Sequence, residues 1–430
     1  MVTVTTPHTW RSATLGEFFR IKHGYAFKGE YFSDSGPYVL LTPGNFSSDG
    51  GIKLKGEKEK YYIGPFPDEF LLQRDDLLVV MTDLTQTAAI LGSPAFIPYS
   101  NYFLHNQRLG KVYDISPGIE KQFLYQLLNT DAVRGQIKGS ATGSTVRHTA
   151  PDRIYAVKVT VPPLLTQRKI AVILSAYDDL IENNLRRIKI LYEMAQNLYC
   201  EWFVKFRFPG HQNARFIDSP LGRIPEGWEV TTIGNVTSYI SRGLSPRYED
   251  SSISVVINQK CIRGHKLDLG FARRHSSRIA PEKYLHFGDI LINSTGIGTL
   301  GRVAQVYTAL SDTTVDTHVS IVRPQSSEDI DYLGLALMDM ESHFDLLGAG
   351  ATGQTELRKD RISETEIILP PLDLRNGFSS MVAPIRRLGI SLLAKNTTLR
   401  RTRDLLLPRL ISGEVDVSEL DITVPDVAEA

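Results

Sequence analysis

Cysteine is scarce in this sequence: Cys200 and Cys261 are the only two among its 430 residues. They stand in unrelated contexts, so neither a disulfide framework nor the paired spacing of a zinc site can be built from them. No apolar run approaches membrane-spanning length, and the opening MVTVTTPHTW lacks the charged-then-apolar pattern of a secretion signal. We therefore expect a cytoplasmic protein in a reducing compartment, with no membrane partner.

A surplus of charge is also missing, because basic and acidic residues each total 48. A protein that coats nucleic acid by bulk charge alone would be more basic. The charge is uneven, however, and residues 386–410 hold seven basic residues and one acid. The arginines in this stretch that could face phosphates or a partner subunit are Arg386, Arg387, Arg400, Arg401 and Arg403. The tail after Gly413 has six acids and no basic residue, and we predict that it is mobile.

Catalytic motifs are absent as well: there is no G-x-x-x-x-G-K-[ST], no H-E-x-x-H, no nuclease-type E-x-K and no amino-methyltransferase signature. Residues 296–301, GIGTLG, match G-x-G-x-x-G, but a dinucleotide site needs a helix after this motif. The RVAQVY that follows predicts a strand, so we interpret the motif as a tight loop between strands. We accordingly predict no catalytic residues and no metal site.

What the sequence does contain is a long amphipathic segment, residues 167–202, with apolar residues at spacings that alternate four and three. This pattern predicts a helix with a heptad seam, and Asn184 is the polar residue that sets its register. A second seam follows about 208 residues later. Pro384 and Gly389 lie inside it and predict a late start or a kink. The predicted helix-pairing residues are Ile170, Leu174, Tyr177, Ile181, Ile188, Leu191 and Leu198, with Ile385, Leu392, Leu399 and Leu406 in the second helix.

The regions before the two helices repeat each other in order. Asp76-Leu77-Leu78 corresponds to Asp289-Ile290-Leu291, and GSATGST at 139–145 corresponds to GAGATGQT at 348–355. We predict an α+β fold of two repeated mixed α/β domains and two long helices, which pair as an antiparallel coiled coil with pseudo-twofold symmetry. Two unrelated surface helices are the alternative. The predicted parts are domain 1 (1–165), a central helix (166–203), an extended linker (204–227), domain 2 (228–372), a C-terminal helix (373–412) and the acidic tail (413–430).

Three segments, in this order of elements, resemble a known family. They are DSPLGRIPEGW at 218–228, GDILINSTGIGTLGRV at 288–303 and LLLPRLISGEV at 405–415. The chain resembles the specificity subunit of Type I restriction-modification systems over residues 10–415. This resemblance implies that each domain recognises one half of a split double-stranded DNA sequence. It also implies that the helices dock two methyltransferase (modification) subunits, which carry S-adenosylmethionine and methylate adenine N6.

The resemblance implies further that restriction (translocase-nuclease) subunits join the complex and use ATP and Mg²⁺, and that this chain has no catalytic centre or cofactor of its own. Two alternatives stay open. One is a coiled-coil adaptor whose domains bind proteins rather than DNA. The other is the specificity subunit of a simpler restriction system with a fused methyltransferase-nuclease.

Candidate DNA contacts are polar, basic or aromatic residues in loops. In domain 1 they are Lys22, His23, Tyr25, Lys28, Thr142, Ser144, Arg147 and His148. In domain 2 they are Arg242, Arg247, Gln259, Lys260, Arg263, Thr352, Gln354, Thr355 and Arg358. Each of these is equally explained as a solvated surface or turn residue. The A-T-G-x-T loop occurs in both domains, so we expect it to hold phosphates or its own conformation, and residues that differ to read bases.

Overall fold

Two long helices each follow a region of short strands and short helices, and the computed structural model describes residues 9–348 and 356–424. The α-helices are α1 (Lys121–Leu128), α2 (Asp131–Gly139), α3 (Pro151–Tyr155), α4 (Leu164–Tyr199), α5 (Ile330–Asp339), α6 (Glu341–Leu347), α7 (Lys359–Glu364) and α8 (Leu372–Ile411). A π-helical turn, Cys200–Val204, extends α4. The chain divides into unit 1, residues 1–182 with 397–430, and unit 2, residues 183–396.

Strands make up the rest of the regular structure. In unit 1 they are β1 (Arg11–Thr14), β2 (Arg20–His23), β3 (Phe32–Ser33), β4 (Tyr38–Leu40), β5 (Tyr61–Tyr62), β6 (Leu77–Val80), β7 (Thr82–Asp83), β8 (Pro94–Phe96), β9 (Phe103–Leu104), β10 (Leu109–Tyr113), β11 (Arg147–His148) and β12 (Lys158–Val161). In unit 2 they are β13 (Phe216–Ser219), β14 (Gly222–Pro225), β15 (Glu229–Thr232), β16 (Thr237–Arg242), β17 (Val255–Ile257), β18 (Ile262–Arg263), β19 (Lys266–Leu267), β20 (Arg273–Arg274), β21 (Ile290–Asn293), β22 (Val303–Gln305), β23 (Thr313–Val315), β24 (Val319–Pro324) and β25 (Glu366–Leu369).

A four-stranded antiparallel sheet in the order β2-β10-β6-β8 forms the centre of unit 1. Strand β6, LLVV, is buried along its whole length, which is why it is apolar without alternation. A second sheet, β3-β5-β4-β9, contains one parallel pair, β4 with β9. Strand β1 pairs with β12 just before α4. The main core of the unit packs residues such as Leu77, Phe123 and Ile154 against the start of α4.

Unit 2 repeats this topology with different side chains. Its four-stranded sheet has the order β16-β24-β21-β22, which matches β2-β10-β6-β8 element by element. A parallel pair, β17 with β23, corresponds to β4 with β9, and β15 pairs with β25 as β1 pairs with β12. The predicted repetition of a mixed α/β domain before each long helix is therefore confirmed.

Within unit 1, the beginning of α4 packs against the end of α8, so the two helical segments are antiparallel there. Ile170 and Leu174 are fully buried in the same cluster as Leu407 and Leu410. Arg403 of α8 forms an ion pair of 2.6 Å with Asp178 of α4.

Within unit 2, the later part of α4 packs against the first part of α8 in the same antiparallel sense. Tyr199 and Trp202 contact the ring of Phe378 at centroid distances of 6.5 and 5.8 Å. Asn184 donates a 2.8 Å hydrogen bond from Nδ2 to Oδ1 of Asn396. The eleven predicted seam residues are all buried or half-buried: Ile170, Leu174, Tyr177, Ile181, Ile188, Leu191 and Leu198, with Ile385, Leu392, Leu399 and Leu406.

The predicted late start of the second helix is wrong, because α8 begins at Leu372 and continues through Pro384 and Gly389. A proline removes one backbone donor from a helix, which leaves the carbonyl four residues earlier, that of Ser380, without its usual partner. Ser380 and Pro384 are both exposed, so water can satisfy that carbonyl and the helix continues.

The acidic tail is not mobile over its described residues 413–424. Val417 is buried in the core of unit 1, where Val415 and Ile422 pack against the same cluster. Lys169 of α4 donates from Nζ to the carbonyl oxygens of Ser418 at 2.6 Å and Leu420 at 2.8 Å. The charge pattern suggested mobility, but three apolar residues and a buried lysine anchor the segment.

Three smaller expectations also need correction. Residues 204–227 are not an extended linker, since they contain the β13–β14 hairpin and bury Phe208 and Ile224. The apolar run AAIL at 88–91 is typical of a strand, but it forms turns. The sequence from about 120 to 137 predicts one helix, but the structure divides it into α1 and α2, because Thr130 caps α2 by accepting from the backbone N–H of Val133.

Candidate nucleic-acid interface

The polar loops of unit 1 converge at one end of its four-stranded sheet. In the antiparallel register His23, the last residue of β2, opposes Gly110 near the start of β10, and Val80, the last residue of β6, opposes Leu109. Beyond this edge, the backbone N–H of Tyr25 donates to the carbonyl of His105 at 2.8 Å. We call this edge, and the matching edge in unit 2, the loop end of the sheet.

A hairpin at residues 142–148 joins the loop end of unit 1. The backbones of Thr142 and His148 exchange hydrogen bonds of 2.9 and 2.8 Å, and β11 pairs with β7. Nδ1 of His148 lies 3.0 Å from Oγ1 of Thr82. Gly143 has φ +92°, and any Cβ there would collide with the carbonyl of Val146. The hairpin is therefore tightly closed, and it exposes Thr142, Ser144 and His148 to solvent.

The other predicted contacts in unit 1 are less free. Lys22 forms a 2.6 Å ion pair with Glu69, and Arg147 is half-buried and donates to the carbonyl of Lys138 at 3.0 Å. Tyr25 packs edge-on against Phe27 at 5.1 Å. Lys28 is exposed, 4.0 Å from Glu30. His23 is exposed at the loop end, so His23 and the hairpin residues are the best placed to touch a ligand.

Unit 2 has the same loop end with different side chains. Arg242 opposes Ser320 at the end of β16, and Asn293 opposes Val319 at the end of β21. Arg242 pairs with Glu356 and donates to the carbonyl of Leu357 at 3.0 Å. Glu356 neutralises the charge of the Arg242 guanidinium. The main effect of these contacts is therefore to fix the position of the segment that begins at residue 356.

The remaining predicted contacts of unit 2 separate into four groups. Gln259 lies at the loop end, because its carbonyl accepts from Nδ2 of Asn293 at 3.1 Å, and Lys260 beside it is exposed. The side chains of Arg263 and Arg358 are engaged, since Arg263 covers the Phe271 ring at 4.9 Å and Arg358 donates to Asp360 at 3.0 Å. Arg247 is exposed, and its backbone N–H donates to Oγ of Ser277. Thr352, Gln354 and Thr355 lie outside the described residues.

Buried polar groups hold the loops in position. His105 is fully buried, and burial lowers its pKa to about 4, so the imidazole is neutral. Its Nε2 donates to the carbonyl of Leu109 at 2.9 Å. The buried carboxylate of Asp83 accepts from the backbone N–H groups of Thr85 and Ile90, both at 2.8 Å. In unit 2, burial raises the pKa of Asp316, whose carboxylate accepts from the N–H of His318 at 2.9 Å.

Two of the arginines proposed to face phosphates are engaged inside the protein. Arg386 pairs with the buried Asp331 at 2.7 Å and lies against the rings of Phe287 and Tyr307. Burial opposes the charge of Arg403, but its hydrogen bonds to Asp178 and Asp404 outweigh that effect and raise its pKa. Three arginines of the cluster are exposed: Arg387, Arg400 and Arg401.

Within residues 9–348 and 356–424, no three His, Cys, Asp or Glu side chains are grouped so that they could hold a metal ion. Among the helices that these described residues form, none is both long enough and apolar enough to span a membrane.

Comparisons with known proteins agree with the repeated architecture. Residues 7–191 match the family model described as the Type I restriction modification DNA specificity domain. The Type I restriction enzyme MjaIX specificity subunit of Methanocaldococcus jannaschii is 25% identical over 308 residues, which cover 70% of this chain and 71% of that protein. The chain is therefore similar to Type I restriction-modification specificity subunits.

Two further relatives extend this comparison. The MjaVIII specificity subunit of the same archaeon is 22% identical over 293 residues, or 67% of this chain and 63% of that protein. The crystal structure of the S subunit of a Type I system from M. genitalium superposes with a TM-score of 0.58 over 95% of this chain and 98% of that one. At 15% identity, that likeness shows a common fold.

The structure also reveals residues at the loop ends that the sequence did not indicate. Thr82 and Thr295 occupy equivalent positions and each bonds a histidine: Oγ1 of Thr295 lies 2.6 Å from Nδ1 of His318. The exposed residues Thr85, Gln86 and Thr87 follow β7 at the loop end. The offset between β6 and its copy β21 shows that Thr82 and Thr295 are equivalent. Nothing in the sequence, however, places Thr82 or the residues after β7 beside the 142–148 hairpin.

Proposed function

We propose that the chain is the DNA-binding specificity subunit of a Type I restriction-modification complex. Domain 1, residues 1–165, reads one half of a bipartite DNA target, and domain 2, residues 228–372, reads the other. The helices at 166–203 and 373–412 dock two methyltransferase subunits. The segments 204–227 and 413–424 are packed extensions of the two units.

One observation carries this proposal: two copies of one strand order present the same loop end with different polar side chains. Unit 1 exposes Ser144, His148 and Gln86 there, whereas unit 2 exposes Lys260. Sequence is read by hydrogen bonds to base edges, and different donors and acceptors select different bases. A shared scaffold with differing side chains is what recognition of two unlike half-sites requires.

The exposed faces of the long helices support the docking of protein partners. Six large apolar side chains on α4 and α8 are at least half exposed: Leu165, Leu180 and Leu405 in unit 1, and Ile190, Met194 and Leu372 in unit 2. Large apolar side chains grouped on a surface mark protein–protein contact sites. The exposed Arg387, Arg400 and Arg401 lie on α8 and add positive charge to that helix.

The chemistry belongs to the partners in this proposal. The methyltransferase subunits hold S-adenosylmethionine and methylate adenine N6, and the restriction subunits use ATP with Mg²⁺. This chain contributes sequence recognition and assembly, and it contributes no catalytic group.

The test is to map N6-methyladenine in DNA from cells that express the chain together with a modification subunit from the same source genome. We expect methylation at a single split sequence whose two parts are separated by a non-specific spacer. Cells with either gene alone should show no such mark. Methylation at an uninterrupted site, or methyl transfer by the purified chain alone, would contradict the proposal.

A further inference from the structure

In each unit, one large aliphatic side chain is exposed at the tip of the loop that follows the third strand in the sheet order. This strand is β6 in unit 1 and β21 in unit 2. Leu84 follows β7 in unit 1 and is 55% exposed, and Ile297 follows β21 in unit 2 and is 95% exposed. The same offset of 213 residues separates Leu84 from Ile297 and Asp76 from Asp289. The two side chains therefore occupy equivalent positions in the two copies of the fold.

Both tips lie at the loop end and are held by buried or backbone groups. The carboxylate of Asp83, immediately before Leu84, holds the loop through the N–H of Thr85. In unit 2, the carbonyl of Gly296 accepts from Leu300 at 3.0 Å, and the carbonyl of Gly298 accepts from the guanidinium of Arg302 at 2.7 Å. The backbone that carries each aliphatic side chain is thus fixed rather than loose.

The glycines beside Ile297 make its loop narrow. Gly296 has φ +110° and Gly298 has φ +68°, conformations that side-chain-bearing residues rarely adopt. A Cβ on Gly296 would also collide with Gln259 and Thr299. The loop therefore presents Ile297 with no side chain on either neighbour, a shape that can enter a DNA groove.

We infer that Leu84 and Ile297 are apolar wedges that insert against a base-pair step, one in each half of the DNA target. This inference rests on the proposed function. An aliphatic side chain cannot read hydrogen-bond donors and acceptors, but it can pack on base faces and partly unstack a step, as apolar wedges of other DNA-binding proteins do. An exposed aliphatic side chain is present in both copies, whereas the polar residues around it differ between the copies. Insertion against a base-pair step is a role that both half-sites can share.

The test uses the full chain assembled with its modification subunit, and duplexes that contain the methylated target with 2-aminopurine at successive positions. An unstacked 2-aminopurine fluoresces more strongly. Because an enzyme that modifies a base removes it from the stack, the methylated adenine itself is not used as a reporter position.

We expect the wild-type complex to raise the fluorescence at one step in each half-site. Ile297→Ala should abolish the rise in one half only, Leu84→Ala should abolish it in the other, and each should weaken binding about tenfold. Ile297→Leu should retain both signals, because it keeps a large aliphatic group.

Ile253→Ala is the matched control, because Ile253 is 75% exposed but lies away from the loop end. Ile253 precedes β17, whereas Gln259, which lies at the loop end, follows that strand. If Ile297→Ala behaves like Ile253→Ala in both readouts, the inference is wrong while the proposed function stands. Loss of modification-subunit binding by Ile297→Ala, with DNA binding kept, would also overturn it. If the wild-type complex shows no sequence-specific binding, the proposed function fails and the inference with it.

Discussion

His105 shows how a single buried group supports the loop end of unit 1. Burial lowers its pKa from 6.5 to about 4, so the unfolded chain binds more protons than the folded chain between these values. Stability therefore rises with pH in this window. The contribution of His105 is complete above pH 6.5 and is lost as the pH falls to about 4, a change of about 3 kcal/mol.

Replacing His105 with glutamine removes this titration while keeping an amide donor for the carbonyl of Leu109. We expect His105→Gln to flatten the dependence of unfolding free energy on pH between 6.5 and about 4, measured by urea denaturation. His286→Gln, at an exposed position, is the control. An unchanged pH profile for His105→Gln would show that another group causes the acid sensitivity.

Gly389 is the residue at which the protein can be stabilised most simply. It is buried in the middle of α8, a Cβ there meets no atom within 4 Å, and it lines a cavity of about 40 Å³ beside Leu191 and Ile385. Gly389→Ala should stabilise the fold by about 1 kcal/mol, because alanine is the better helix former and has less freedom when unfolded.

Gly135→Ala is the matched comparison for Gly389→Ala, since Gly135 is also helical with an open Cβ position but is exposed. The gain in the urea midpoint, followed by far-UV circular dichroism, should be at least as large at Gly389 as at Gly135. A lower midpoint for Gly389→Ala would mean that the helix contact there tolerates no methyl group.

At the scale of elements, the two long helices are held by a combination of apolar seam and specific polar pairs. Asn184 and Asn396 are both buried and hydrogen-bond each other, and Asp178 pairs with Arg403. A buried polar pair adds little stability but disfavours other registers, where each partner would be unsatisfied. The register of these helices therefore depends on a few polar contacts rather than on the leucines.

The C-terminal segment is an element whose most deeply buried apolar side chain is that of Val417. Val417 is 2% exposed, so Val417→Ala should cost about 1 to 2 kcal/mol of unfolding free energy and should speed proteolysis of the segment. Leu420→Ala, which truncates a larger side chain that is 50% exposed, should have little effect on either measurement. Equal behaviour of the two variants would show that the segment is not docked through Val417.

At the scale of the whole molecule, the duplicated fold predicts that the recognition domains can be exchanged. Replacing residues 10–165 with the same region of a relative should change one half of the methylated sequence and leave the other half unchanged. Methylation mapping would measure this. If both halves change, or if the unaltered domain loses its own half, the two domains do not act as separate readers.

The structure adds a condition to that exchange. The core of unit 1 includes Ile170 and Leu174 of α4 together with Leu407 and Leu410 of α8, so an imported domain must match this apolar surface. A relative that keeps large aliphatic residues at these four positions is the suitable donor, and a failed fold with an unmatched donor is a packing effect.

The long helices and the repetition of the fold were predictable because their signals are local. Heptad spacing follows from helix geometry alone, and strand motifs such as DLL and DIL recur in the same order in both copies, at offsets that differ only by a few residues. Asn396, the partner of Asn184, lies four residues after Leu392 and three before Leu399, so it occupies a seam position, but a polar residue gives no apolar signal that marks it. The docking of the tail does not follow from its acidic charge, because three apolar residues, Val415, Val417 and Ile422, attach it to the core of unit 1.

The sequence by itself therefore determined two mixed domains, two helices with apolar seams and the family to which the chain is similar. Only the tertiary structure decided which side chains meet at the loop ends and which are neutralised. Arg242 and Leu357 are separated by 115 residues, and Thr295 and His318 by 23. Periodicity reports how neighbouring residues share one face, whereas strand pairing joins distant segments, and the chemistry of each loop end depends on that pairing.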